Sequence, residues 1–139
     1  MIVNLQRKIK IDTKQFTSFV SNIIEFVQEA ESREFSIAFV SDKRMTELNK
    51  FFRNKNSTTD VLSFPHEPDE FDADNNGLGD IVISVEQAQK QAAENGLTLE
   101  GEIKQLILHG VLHLCGYDHE IDNGEMNKIE LKLRKRLKI

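Results

Sequence analysis

Three of the four histidines, His109, His113 and His119, fall in one short stretch, and their spacing suits a shared metal ion. On a helix His109 and His113 stand four apart, so both imidazoles project from one face, close enough to share a cation. Gly116 can take the positive φ that ends such a helix, and the chain can turn back through Tyr117 and Asp118 to bring His119 to the same point. Burying three imidazoles without partners would leave several polar groups unsatisfied, and a metal ion removes that cost. A structural zinc usually takes four protein ligands, whereas three nitrogens leave a position for water, whose pKa the metal lowers to about 7. Cys115, the single thiol, lies about 200° around the helix from His113 and is expected to face the core. The expected site is one Zn2+ per chain on His109, His113 and His119 with an open position, although three imidazoles also accept nickel, copper or iron. Asp118 reads as a turn residue or as a group orienting a ligand. His66 stands apart and reads as a hydrogen-bonded histidine of the fold.

The same spacing, with glycine three residues after the second histidine, is that of the metzincin peptidases. There a glutamate follows the first histidine and serves as general base; here that position is Gly110. The pattern therefore supports a metal-dependent hydrolase and weakens a peptidase.

These residues need elements to hold them. Thr98 is expected to cap a helix carrying Glu100 and Glu102 in its first turn, where the dipole favours negative charge, and Leu106, Ile107, Leu108, Val111, Leu112 and Leu114 leave little of it polar. Such a helix should be central and buried. Before it, residues Ile2 to Ile11 read as one strand or two short ones, and Asp12 or Thr13 caps a helix with Phe16, Phe19, Val20, Ile23, Ile24 and Val27 at helical spacing. Phe35 to Val40 reads as a strand, and Ser41 caps a helix with a buried stripe of Met45, Leu48 and Phe52. A polar loop from Arg53 to Asp60 precedes a strand from Val61 to Phe64, ended by Pro65. An acidic surface loop then runs to Gly77. Gly79 to Ile83 is a strand, Ser84 to Gln87 a capping box, and Asn95-Gly96 a helix stop. A last helix runs from about Gly124 to Leu137 with Met126, Ile129, Leu133 and Leu137 inward. The expected fold is α+β: one small mixed β-sheet packed with helices, around a zincin-like central metal-binding helix.

The 139 residues suit one domain, residues 1–139 as a single metal-dependent hydrolase domain. Apolar residues at 39% and charged residues at 29% fit a soluble globular chain and exclude a disordered or membrane-spanning one. The start of the chain lacks the layout of a secretory signal, and a lone cysteine gives no support for an oxidising compartment, so the cytoplasm is expected. A net charge of −5 excludes a protein that coats nucleic acid with its whole surface. The charge is uneven, however. Acids cluster between Glu67 and Asp80, while Lys43, Arg44, Lys50, Arg53 and Lys55, and again Lys132, Arg134, Lys135, Arg136 and Lys138, form basic tracts that leave a local anionic ligand open.

The run His109-Gly110-Val111-Leu112-His113-Leu114-Cys115-Gly116-Tyr117-Asp118-His119 resembles the signature of the YbeY-type rRNA maturation factors, H-G-x-L-H-L-x-G-Y-D-H. Leu48-Asn49 followed by Arg53, then Thr59 to Pro65, then Leu78-Gly79-Asp80-Ile81, follow the same pattern in the same order. Phe52 and Thr58 depart from it, where tyrosine and proline are common. The resemblance implies a single-strand-specific zinc-dependent endoribonuclease that matures the 3′ end of 16S rRNA and takes part in ribosome quality control. It implies zinc on His109, His113 and His119, a functional Arg53, and single-stranded ribosomal RNA and the small ribosomal subunit as partners. Phosphodiester cleavage builds negative charge on phosphate oxygens, which a metal and a guanidinium are suited to stabilise, so metal-activated water attack with Arg53 on the phosphate is expected. Arg53 reads equally well as a solvated cation at a helix C-terminus, and complementing a helix end is the stronger reading of Lys132 to Lys138. Two other functions compete: a zincin-like metallopeptidase, and a non-enzymatic metal-containing ribosome assembly factor.

Overall fold

The computed structural model describes residues 1–66, 77–118 and 121–139. Among them the chain forms β1 (Ile2–Asn4), α1 (Thr17–Phe26), β2 (Glu34–Val40), α2 (Asp42–Arg53), β3 (Val61–Pro65), β4 (Gly77–Ser84), α3 (Val85–Asn95), α4 (Leu99–Leu114) and α5 (Glu125–Leu137). The strands make one mixed sheet in the order β1-β2-β4-β3; β1, β2 and β4 are parallel, and β3 runs antiparallel at the edge. This is the expected α+β architecture.

Alternation along the strands gives the sheet two apolar faces. Phe35, Ile37 and Phe39 of β2 and Ile81 and Ile83 of β4 face α1 and α4, where they join Phe16, Ile23, Ile103, Ile107, Val111 and Leu112 in the main core. Val40, Leu62 and Val82 face the other way and meet Met45 and Leu48 of α2 in a smaller cluster. Leu78 breaks the parity. Between Glu34–Gly77 and Phe35–Gly79 the register slips by one residue, and this bulge turns Leu78 into the main core, where it is 1% exposed. Gly79 beside it has φ +137° and a backbone so close to the Phe64 carbonyl that no side chain fits.

Helix α4 is the buried centre. Ile103, Ile107, Leu108, Val111 and Leu112 are fully enclosed, and each side chain of that size removed from water stabilises the fold by roughly 1.5–3 kcal/mol. Thr98 caps the helix, its hydroxyl accepting from Gly101 N at 3.0 Å. Ser41 caps α2 and Gly96 closes α3 in the left-handed region, as expected.

Several local expectations are corrected. β1 ends at Asn4, with a last bond from Leu5 N to Phe39 O, and the buried Gln6 then serves the backbone: its amide donates to Ile9 O at 2.7 Å and its carbonyl accepts from Ile9 N at 3.0 Å. Asp12 does cap, but Thr13–Phe16 is a tight 3-10 turn and the α-helix proper starts at Thr17. In α2 the inner row is Met45 and Asn49, not Met45 and Phe52. Asn49 is buried because its amide donates to Ser57 O at 2.9 Å and ties the following loop down, whereas Phe52 is 56% exposed. Only half of the capping box forms. Ser84 Oγ accepts from Gln87 N, but the Ser84 N–H donates to Asp60 O at 2.9 Å instead of to the Gln87 side chain, whose amide donates to Asp42 Oδ2. The expected acidic loop covers residues 67–76, outside the described residues, and β4 already begins at Gly77.

Candidate metal centre and its cleft

Two of the three expected ligands converge. His109 and His113, one turn apart on α4, bring their Nε2 atoms to 3.2 Å, with ring planes at 75°. Two nitrogens bound to one tetrahedral zinc are about 3.3 Å apart, given Zn–N bonds of about 2.0–2.1 Å. The pair therefore has the separation a shared cation requires.

Past His113 the helix ends in a Schellman motif. Gly116, at φ +99°, donates to His113 O and Tyr117 donates to Leu112 O, both at 3.0 Å. The turn expected at Gly116 is thus formed, and it sends the chain back through Tyr117 and Asp118. His119 lies outside the described residues, and among those described no three His, Cys, Asp or Glu side chains cluster as a metal site. The Asp118 carbonyl accepts from Ile121 N and Asp122 N. Asp122 in turn caps α5, accepting from Gly124 N at 2.8 Å and Met126 N at 2.9 Å. Cys115 packs half-buried against the main core, as expected, and burial, helped by Glu29 and partly offset by Arg33, pushes its thiol up to about 11.

The residue that sequence reasoning missed is Glu130. It is 7% exposed on the inner face of α5, with its two oxygens 3.2 and 3.3 Å from His109 Nδ1. The bond places the proton of a neutral His109 on Nδ1 and leaves the Nε2 lone pair directed at the shared point. Arg134, one turn on, donates to the same carboxylate at 3.2 Å. Burial pulls the Glu130 pKa upward, but the hydrogen bond and charge of His109 together with Arg134 outweigh it and hold the carboxyl below its ordinary value. A signal existed: Glu130 falls four residues after Met126 and three before Leu133, inside the apolar stripe of its helix.

His113 opens onto a cleft of about 430 Å³ whose other walls include Arg53, Ser63, Pro65, Asp118 and Ile121. Arg53, the last residue of α2, is thereby brought to the same cleft as His113 from 60 positions earlier in the chain. Asn54 at φ 54° stops the helix there. At the opposite end of α2, Asp42 ties the helix to its neighbours: Ser84 Oγ at 2.6 Å, Thr58 Oγ1 at 3.0 Å and Gln87 Nε2 at 3.0 Å all donate to its carboxylate. His66 lies elsewhere, its ring against Gly77 at the end of the sheet. Of the C-terminal basic tract, Arg134 serves Glu130 and Arg136 lies 4.7 Å over the Phe26 ring.

Gly110 faces the sheet. A Cβ there would sit 3.0 Å from both Cδ1 and Cγ2 of Ile81, and Ser63 Oγ donates to the Gly110 carbonyl at 3.3 Å.

The described residues form a mixed-sheet α+β fold with an imidazole pair on the central helix, an arginine on the wall of the neighbouring cleft and no carboxylate after the first histidine. The family model for Endoribonuclease YbeY matches residues 1–138, and the chain belongs to that family of hydrolases. It is 36% identical to the Endoribonuclease YbeY of Thermodesulfovibrio yellowstonii, over 99% of this chain and 96% of the relative. It is 46% identical to that of Nautilia profundicola, over 77% and 74%. The solution structure of TM1509 from Thermotoga maritima superposes with a TM-score of 0.65 at 27% identity, covering 99% of this chain and 89% of that one. No helix among the described residues is long and apolar enough to cross a membrane.

Proposed function

We propose that residues 1–139 form a single metal-dependent hydrolase domain that cleaves single-stranded RNA, with one Zn2+ held by His109, His113 and His119 on and just after the central helix. The observation that carries the reading is the 3.2 Å approach of the two Nε2 atoms, beside a cleft that Arg53 also lines. Glu130 would set the ring of His109 and the availability of its Nε2. When bound, a zinc ion on three imidazoles supplies a water with a pKa near 7, and so a nucleophile at neutral pH. The forked donors of Arg53 would take the phosphate oxygens and stabilise charge that builds on them. Family membership supports RNA as the substrate, and the resemblance of the histidine run extends the proposal to the 3′ end of 16S rRNA, ribosome quality control, the small ribosomal subunit and the cytoplasm.

The peptidase reading loses ground at Gly110. A glutamate there would begin by displacing the fully buried Ile81 and would point into the sheet.

Protein purified without chelator or nickel resin should carry close to one zinc per chain and cut single-stranded RNA while leaving duplex RNA and an unstructured peptide intact. Cleavage of the peptide alone would overturn the proposal. Normal rRNA processing in cells carrying only His109→Ala, with metal lost, would point instead to a non-enzymatic assembly factor.

A further inference from the structure

We propose that Phe51, Phe52 and Phe64 form a stacking platform for the bases of single-stranded RNA that flank the cleft, an inference that rests on the ribonuclease reading above. Phe51 is 81% exposed and Phe52 56% exposed at the last turn of α2, although large apolar side chains gain most from burial. They are not scattered. Ring centroids of Phe51 and Phe52 lie 4.8 Å apart and those of Phe52 and Phe64 4.9 Å apart, so helix and edge strand present one aromatic run. Phe52 and Phe64 also wall an apolar groove of about 530 Å³ floored by Val3, Ala38 and Val82 on the outer face of the sheet.

The occupant is indicated by charge and position. Lys50 on one side and Arg53 and Lys55 on the other, all exposed, flank the two adjacent phenylalanines, and no acidic residue falls between Leu48 and Thr58 in a chain whose net charge is −5. Exposed rings flanked by cations match a polymer that carries flat bases on a phosphate backbone. Arg53 follows Phe52 directly and lines the cleft that holds His113, while Ser63 and Pro65 line the same cleft and Phe64 between them turns its ring to the opposite face of β3. A strand crossing the β3 edge can therefore lay a phosphate at Arg53 and its neighbouring bases on the rings. Only unpaired bases offer their faces in this way, so the platform favours single strands over duplex and tolerates any sequence.

The test uses the full zinc-loaded chain and an oligoadenylate carrying 2-aminopurine, whose fluorescence is quenched by stacking. Binding to the unsubstituted chain should quench it. Phe51→Leu and Phe52→Leu, which keep apolar bulk but remove the π face, should each weaken binding roughly tenfold and lose quenching, while Phe51→Tyr and Phe52→Tyr should retain both. Phe51→Leu keeps the test decisive if the Phe52 variant melts early. Leucine variants that bind and quench like the unsubstituted chain would overturn the platform, and would do so in favour of a protein-docking face if they lost an apolar protein partner instead. If the unsubstituted chain neither binds nor cuts RNA, it is the ribonuclease reading that fails.

Discussion

Glu130 grips His109 from behind: its carboxylate oxygens lie 3.2 and 3.3 Å from Nδ1, while Nε2 of the same ring lies 3.2 Å from Nε2 of His113. One side chain of α5 thus sets the orientation and tautomer of a ring on α4, on which metal binding would depend.

Glu130→Ala should lower zinc affinity by roughly 10- to 100-fold, as loss of a carboxylate behind a ligating histidine does elsewhere. Glu130→Gln, whose amide oxygen still accepts from Nδ1–H, should recover part of it. Competition against a chelator of known affinity measures both; equal affinity in all three proteins would remove Glu130 from the site.

Arg53→Ala should reduce kcat/KM for single-stranded RNA by roughly a hundredfold while zinc content and melting temperature stay put, because Arg53 is exposed at a helix end. Arg53→Lys keeps the charge but not the fork and should restore little. Full activity in Arg53→Ala would confine the residue to complementing the helix dipole.

Gly110→Ala gains helix propensity of about 1 kcal/mol but forces a methyl to 3.0 Å from two atoms of the fully buried Ile81. Overpacking of this kind costs about 1–3 kcal/mol, so urea denaturation should show a net loss. Adding Ile81→Val removes one of the clashing carbons and should return part of it. A more stable Gly110→Ala would mean that the helix can lift off the sheet.

Stability should fall in acid partly through Asp42. Burial raises its pKa, but hydrogen bonds from Ser84, Gln87 and Thr58, with the charge of Lys8, prevail and hold it below its ordinary value. A depressed folded-state pKa stabilises the fold above the unfolded value of about 3.9, and that contribution is lost as pH falls through the folded one. Asp42→Asn should cost about 1 kcal/mol at neutral pH and flatten the decline in melting temperature below pH 4. An unchanged acid profile would place the loss on other carboxylates.

Much of the architecture was legible because its causes are local. The caps at Ser41 and Thr98 and the glycine stops at Gly96 and Gly116 follow from side chains that bond or clash with their own backbone, and the strands expected at Phe35 to Val40 and Gly79 to Ile83 follow from local composition, each formed with slightly wider bounds. Errors arose where a distant partner decided. Phe52 fits an apolar stripe by spacing, yet Asn49 won the buried position through its bond to Ser57 O. Gln87 fits a capping box, yet the Ser84 N–H that its side chain would accept went to Asp60 O on the neighbouring strand's approach, 24 positions away.

Taken alone, the chain's residues determined that His109 and His113 would share a helix face, that a glycine would turn the chain after them, and that the first histidine would not be followed by a carboxylate. Helical pitch and backbone sterics suffice for each. Only the packed structure decided that Glu130 would stand behind His109, that Arg53 would reach the cleft of His113, and that Gly110 would be pressed against Ile81. Those relations join α2, β4, α4 and α5 across the sheet, and no periodicity within one element carries information about which other element will lie against it.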